Sequence, residues 1–242
     1  VSSLDRSVQA EYLTPAQLDA AIAAAPVAYL PLGSLEFHGP HLPIGLDTLN
    51  AHGVCVGAAQ AGGGIVLPPV YQGLGGGHSD YPWTIMMADP SGIRSHLEQT
   101  FAKLEAFGVR LAVLFTGHFA DEQLAMIDEI AASWNAAAHP LAVLATGVNR
   151  SDAPIAPDHA GVFESTLLSA FEPDLVHLEL LPDAATSPDP GGDPMGEQRH
   201  DRAHPLWGVF GPDPRGADLA RAPQLRDAVV SWLGSEVARR LG

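Results

Sequence analysis

Pro31-Leu32-Gly33-Ser34-Leu35-Glu36-Phe37-His38-Gly39-Pro40-His41-Leu42-Pro43-Ile44-Gly45-Leu46-Asp47 is the stretch on which the fold is read. Just upstream and into it, Val27 to Leu32 is an apolar run that stops at Gly33, the pattern of a strand buried on both faces. Beyond it, Asp47 to about Gln60 reads as an apolar helix. Its polar residues therefore stand where a strand hands over to a helix. Working outward gives the same alternation. Thr14-Pro15 places an N-cap before a first-turn proline and starts a helix through about Ala24. Ile65 to Val70 reads as a strand whose end Pro68 and Pro69 push towards an edge or loop. Ser91 to Phe107 carries Ile93, Leu97, Phe101 and Leu104 at helical spacing and closes at Gly108. A strand over Leu111 to Phe115, a helix over Asp121 to Ala138, a strand over Leu141 to Ala145 and a helix over Arg221 to Leu241 follow. This order predicts βαβ units in an α/β single domain spanning 1–242, a mainly parallel central sheet flanked by helices on both faces. Residues 1–25 are expected to form an N-terminal extension and helix. Residues Pro182 to Gly216, dense in Pro, Gly and Asp, are expected to form a long loop that is functional or mobile.

Composition removes several function classes. Of 242 residues 46% are hydrophobic, enough for a core without disulfides. Twelve Lys and Arg against 28 Asp and Glu leave a net charge of −16. Such a surface repels phosphate backbones and anionic lipid, so neither nucleic acid nor a membrane is expected as partner. The single cysteine, Cys55, excludes a disulfide framework or a Cys-based zinc site within the chain. No apolar run reaches about 18 residues, and the first residues lack a basic region followed by an apolar one. A soluble, cytoplasmic protein is the expectation. Eleven histidines, nearly as many as all Lys and Arg together, are the odd count.

In an open parallel sheet, ligands sit beyond the carboxyl ends of the strands. Glu36 and His38 are two apart, so in extended backbone they point the same way. Asp47 stands where the next helix begins. Thr116-Gly117-His118 ends a later strand and puts an imidazole on the same rim if the two strands are neighbours. Carboxylate oxygens and imidazole nitrogens without thiolate suit zinc, manganese or iron(II). A carboxylate can also bridge two cations, about 3.5–4 Å apart, that activate water for attack on a carbonyl. A lone histidine at a strand end is usually a hydrogen-bonded structural residue, so the metal reading rests on Glu36, His38, Asp47 and His118 meeting. His78 follows the run Gly73 to Gly77, which lacks the spacing and lysine of a phosphate loop. It reads as a substrate contact or a structural residue, and Tyr81 and Trp83 as pocket walls. No Gly-x-Ser-x-Gly elbow is present for serine catalysis.

The run from Pro31 to Asp47 resembles the signature of the creatininase family, the creatinine amidohydrolases. Four further blocks are similar to that family's and occur in order: His78-Ser79-Asp80-Tyr81-Pro82-Trp83-Thr84-Ile85, Thr116-Gly117-His118, His159-Ala160-Gly161-Val162-Phe163-Glu164-Ser165 and Gly208-Val209-Phe210-Gly211. The resemblance covers about residues 26 to 241. It implies an α/β fold, two divalent metal ions per chain (Zn, Mn or Fe), hydrolysis of a C–N amide bond in a small-molecule substrate, and a homo-hexamer. It further implies Glu36 and His118 as ligands of one metal, His38 as a ligand of the second, Asp47 as the bridge and His159 as the acid/base. Glu164 corresponds to an active-site glutamate able to ligate the second metal. Residues five apart on an ideal helix lie about 140° round the axis, so His159 and Glu164 share the site only if His159 precedes the helix. His41, between Pro40 and Pro43, either supports the ligands from behind or joins them.

The sequence also departs from the family pattern. Ala120 stands where members carry a metal-binding Glu, so Glu164, and behind it Asp121 or Glu122, are the candidates to make good the loss. Trp83 replaces a usual glycine, and Ser165-Thr166 a usual Thr-Ser, which implies a different pocket. Three functions are therefore carried forward. The first is a metal-dependent amidohydrolase acting on a small, cyclic or formyl amide, with His159 donating and accepting protons. The second is a metallopeptidase trimming a small peptide in cofactor or natural-product maturation. The third is a non-catalytic metal-binding scaffold, motivated by Ala120.

Overall fold

The computed structural model describes residues 6–242, so the start of the N-terminal extension lies outside the described residues. Its helices are α1 (Pro15–Ala24), α2 (Leu46–Gly62), α3 (Ser91–Ala106), α4 (Asp121–Ala136), α5 (Val162–Ser169) and α6 (Ala222–Leu241). Its strands are β1 (Val27–Leu32), β2 (Ile65–Val66), β3 (Gly73–Leu74), β4 (Met86–Met87), β5 (Leu111–Thr116) and β6 (Ala142–Gly147).

The central sheet runs β2-β1-β5-β6, and every pairing in it is parallel. Because successive side chains alternate across a strand, each strand feeds two cores. Val27 and Tyr29 of β1 and Leu111, Val113 and Phe115 of β5 pack with α2, α5 and α6 through Val54, Phe163, Leu225 and Val229. Ala28, Leu30 and Leu32, with Ala112 and Leu114, pack on the opposite face with α1, α3 and α4 through Ile22, Leu97, Phe101, Ile127 and Ile130. Double burial explains why β1 and β5 read as unbroken apolar runs. Each large side chain so buried contributes about 1.5–3 kcal/mol. The doubly covered parallel sheet is the α/β architecture expected.

Two expectations change in detail. The strand expected over Ile65 to Val70 is cut to two residues, because Pro68 and Pro69 carry no backbone N–H for a ladder. The path is kept, since Val70 still bridges Leu32 in parallel. The segment 182–216 holds only short 3₁₀ turns, but it is tied down. The buried Arg199 donates to the Val209 carbonyl at 3.1 Å and to Asp189 at 2.9 Å. Arg215 donates to the carbonyls of Pro182 and Ser187, both at 2.8 Å. Among the described residues, no helix is long and apolar enough to cross a membrane.

Candidate metal centre

The strand order reverses between β1 and β5, with β2 on the far side of one and β6 on the far side of the other. Ligand crevices in open α/β sheets form at this switch point. The pairing Leu32↔Thr116 brings the two strand ends level, so the loop after β1 and the turn Thr116-Gly117-His118 share one rim. The start of α2 presses into that rim. A Cβ on Gly117 would lie 2.0 Å from the Asp47 carbonyl oxygen, a clash with backbone that no rotamer change relieves. Gly117→Ala should therefore destabilise the fold by about 1–3 kcal/mol. It should also reduce bound metal, because α2 carries Asp47 away. Thermal unfolding and metal analysis on one preparation check both, and unchanged metal content would contradict the coupling.

Asp47, in the first turn of α2, accepts a hydrogen bond from Ser34 Oγ at 2.6 Å. Its two oxygens face different neighbours. Oδ1 lies 3.2 Å from His38 Nε2, which is 3.5 Å from Glu164 Oε2. Oδ2 lies 3.2 Å from His118 Nδ1, which is 3.0 Å from Glu36 Oε2. Within each of the sets Glu36–Asp47–His118 and His38–Asp47–Glu164, one donor atom per residue lies within 4.8 Å of the others, and all five side chains are buried. Two donors each about 2.1 Å from one tetrahedral ion stand about 3.4 Å apart, so these ion-pair contacts of 3.0–3.5 Å also match the spacing of ligands around a common cation. His38 Nδ1 is 2.9 Å from the Glu36 carbonyl, an acceptor, so Nδ1 carries the proton. That leaves Nε2, buried and without a hydrogen-bond partner, to ligate. Donor set and geometry fit a pair of borderline divalent ions.

Glu164 reaches the site because α5 begins only at Val162, so His159 precedes the helix. The intervening Ala160 has φ +57°, and its N–H donates to Glu164 Oε2 at 2.6 Å. Asp158 fastens the turn, accepting from the N–H groups of Gly161 at 3.1 Å and Phe163 at 2.9 Å. His159 pairs its backbone with Phe210 from the 182–216 side. Its Nε2 donates to the Phe37 carbonyl at 3.0 Å, and its ring stacks on His38 at 4.3 Å.

The electrostatics are those of a tightly coupled buried cluster. Burial opposes the charge on His38, but the carboxylates of Asp47 and Glu164 prevail and push its pKa up to about 10. Burial would raise Glu36 and Asp47, yet the surrounding imidazoles hold both well below the usual carboxylate range. Glu164 is pushed well up by burial, with Asp47 and Asp158 adding. His159 is held well below its ordinary value by burial and then by His38.

A cavity of about 290 Å³ opens onto the cluster, lined by Glu36, Asp47, His78, His118, Asp121, His159 and Glu164 among others. Ala120 also lines it, and neither Lys nor Arg does. The structure does not bring the remaining sequence candidates to the cavity wall. Trp83 is 80% exposed and stands apart from the cavity. Tyr81 packs on Phe37 and Trp207, and its hydroxyl is 2.8 Å from His200 Nδ1. Glu122 turns to the Gly76 N–H. His41 is buried behind the cluster, its Nε2 3.4 Å from Ser165 Oγ. Spacing in the sequence carries no signal that brings Asp158 or Trp207 to the site, and the block around Phe210 is remote in the chain from His159, with which it pairs.

Known proteins place this arrangement in context. The family model for creatininase, creatinine amidohydrolase, matches residues 11–237. A creatinine amidohydrolase of Pseudomonas putida is 28% identical over 204 residues, covering 74% of this chain and 78% of that protein. The mycofactocin precursor peptide peptidase of Mycolicibacterium smegmatis is 39% identical over 66 residues, 25% of this chain and 27% of that protein. The crystal structure of a creatinine amidohydrolase (creatininase) superposes with a TM-score of 0.79 at 25% identity, covering 98% of each chain.

Proposed function

The chain belongs to the creatininase family, and from that premise we propose that it is a metal-dependent amidohydrolase cleaving the C–N bond of a small, cyclic or formyl amide. The observation that carries the reading is Asp47, which offers one oxygen to each of two donor sets. Glu36 and His118 would hold one ion, His38 and Glu164 the other, and Asp47 both. When bound, such a pair supplies a lowered water pKa, from about 15.7 towards 7, and Lewis-acid polarisation of a carbonyl.

The chain's own groups then do the rest. His159 Nε2 is committed to the Phe37 carbonyl, so Nδ1 is the nitrogen with a free lone pair. Held neutral, that nitrogen takes a proton as water adds to the carbonyl. It then delivers the proton to the departing amide nitrogen, which leaves poorly unprotonated. Glu164 needs no help from position 120: with its carboxylate in the His38 set, Ala120 leaves space in the cavity rather than a missing ligand. This tells against a bare scaffold. The cavity, about 290 Å³, lies at the small end of ligand sites and suits a small amide. Localised similarity to a peptide-processing enzyme keeps peptide trimming as the second reading. We further infer, from the family, a homo-oligomer, with a hexamer as the specific expectation.

A hydrolysis screen of the metal-loaded protein decides between these readings. Small lactams and formamides are expected to turn over. Cleavage of short peptides alone would overturn the small-amide reading, and no hydrolysis at all would favour the scaffold. Metal uptake has its own pH signature. His38, with a pKa of about 10 before metal binds, must lose its proton to ligate, and His118 is likewise held well above its ordinary value. Each proton displaced makes binding about tenfold tighter per pH unit. Affinity should therefore rise from pH 6 to 8 by about 10²–10⁴, with protons released into weak buffer. A flat profile would mean that neither imidazole carries an extra proton in the metal-free site over that range, contradicting the upward shifts of His38 and His118.

A further inference from the structure

His78 follows the glycine run 73–77, a run with the composition of a flexible rim. In the structure the run is held at its start. Gly73–Leu74 and Met86–Met87 pair as β3 and β4, and Leu74 N–H donates to Gln123 Oε1 at 3.0 Å. Gly75 and Gly76 have φ of +79° and +89°, a region closed to most side chains. A Cβ on Gly75 would lie 2.3 Å from Glu122 Oε2, and one on Gly76 3.4 Å from Glu36 Oε1. The loop thus comes down onto the start of α4 and the centre together, and so delivers His78.

The imidazole meets two groups of the site. His78 Nδ1 is 2.7 Å from Glu36 Oε1, shorter than any contact between the donor sets. Its ring lies parallel to that of His159, with centroids 4.1 Å apart and planes 9° apart, and His38 stacks on His159 at 4.3 Å. Phe210 at 4.9 Å and the edge of Tyr81 at 5.1 Å pack against His78.

We propose that His78 is a positioning residue that acts through Glu36 and His159 rather than on substrate. Its Nδ1–H occupies Oε1 of Glu36, which leaves Oε2 as the single oxygen offered to the His118–Asp47 side. A carboxylate with both oxygens free can swing or chelate through both, and hydrogen bonds that fix ligand orientation are commonly worth 10–100-fold in metal affinity. The flat face of His78 also holds the His159 ring against His38, and so fixes where its Nδ1 stands. This inference rests on the two-metal reading of the centre.

Three substitutions separate the two contacts. Asn places an amide N–H near the position of Nδ1 without the ring, Phe keeps a ring without the donor, and Ala removes both. The zinc-loaded proteins are dialysed against graded chelator, and metal retained per chain, kcat and KM are measured. His78→Ala should lose one of the two zinc ions at 10–100-fold lower chelator strength, with kcat reduced and KM moved less than about threefold. His78→Asn should restore zinc retention to within about threefold of wild type, and His78→Phe should not. Wild-type retention in His78→Ala, no rescue by Asn, or a change confined to KM would each overturn the positioning role, the last in favour of a substrate contact. A wild-type protein that takes up no zinc would instead bring down the two-metal reading itself.

Discussion

Asp47→Ala should strip the protein of both metals and lower kcat/KM by at least about 10⁴, since the acceleration lost is most of what a hydrolase supplies. Removal of any other carboxylate in the centre should have a narrower effect. Glu164 faces His38 and Glu36 faces His118, whereas Asp47 presents Oδ1 to the first set and Oδ2 to the second. Glu164→Ala is therefore expected to lose one ion and keep the other. Asp47→Ala also leaves the imidazoles of His38 and His118 buried without their shared counter-charge, which costs about 3–5 kcal/mol in the metal-free fold. Asp47→Asn keeps the shape and the hydrogen bond from Ser34 while offering one acceptor oxygen in place of two, and separates ligation from folding. Metal per chain by elemental analysis after brief chelator dialysis is the measurement. If Asp47→Ala retains one full equivalent, as Glu164→Ala should, the carboxylate is a ligand of one site and not a bridge.

What could be read in advance follows from which interactions are local. β1 and β5 are legible because burial on both faces writes an unbroken apolar run, and their boundaries in the structure match the residue pattern to within a residue. Glu36, His38 and Asp47 are legible because one short loop carries them off one strand end. Their meeting with His118 depends on β1 and β5 being neighbours, a fact of topology that no spacing contains. Long-range partners are harder still. Nothing near residue 159 announces that Phe210 will pair with it, and nothing in a Pro- and Asp-rich stretch marks Arg199 and Arg215 as its anchors. The reading of Trp83 shows a different gap. An aromatic beside a functional block looks like a pocket wall, but the chain turns at Trp83 with φ +61° and holds the indole in solvent. The glycine run before His78 misleads in the opposite sense, since composition implies mobility where close approach to Glu122 and the positive φ of Gly75 and Gly76 demand the missing side chains.

His159→Ala should reduce kcat by about 10²–10⁴, equivalent to about 3–5.5 kcal/mol of transition-state stabilisation, while both metals stay bound. The reasoning turns on what the ring touches. His159 stacks on His38 and His78 and donates from Nε2 to a backbone carbonyl, and neither of the two donor sets built on Asp47 needs it. One competing geometry exists, because Glu36, His38 and His159 also bring donor atoms within 4.8 Å of one another. If His159 were a ligand in that set, its removal would release metal along with activity. Loss of a proton donor has a different signature: it should hurt most where the leaving nitrogen is most basic. The deficit should shrink towards about tenfold with an activated anilide or an ester, whose leaving group departs with little or no proton transfer. Zinc content and the two rate ratios, measured on one preparation, therefore decide the role. A metal-depleted variant makes His159 a ligand, and an equal loss on basic and activated leaving groups confines its role to the steps before C–N cleavage, taking the proton of water or ordering the site, and removes it as the donor to nitrogen.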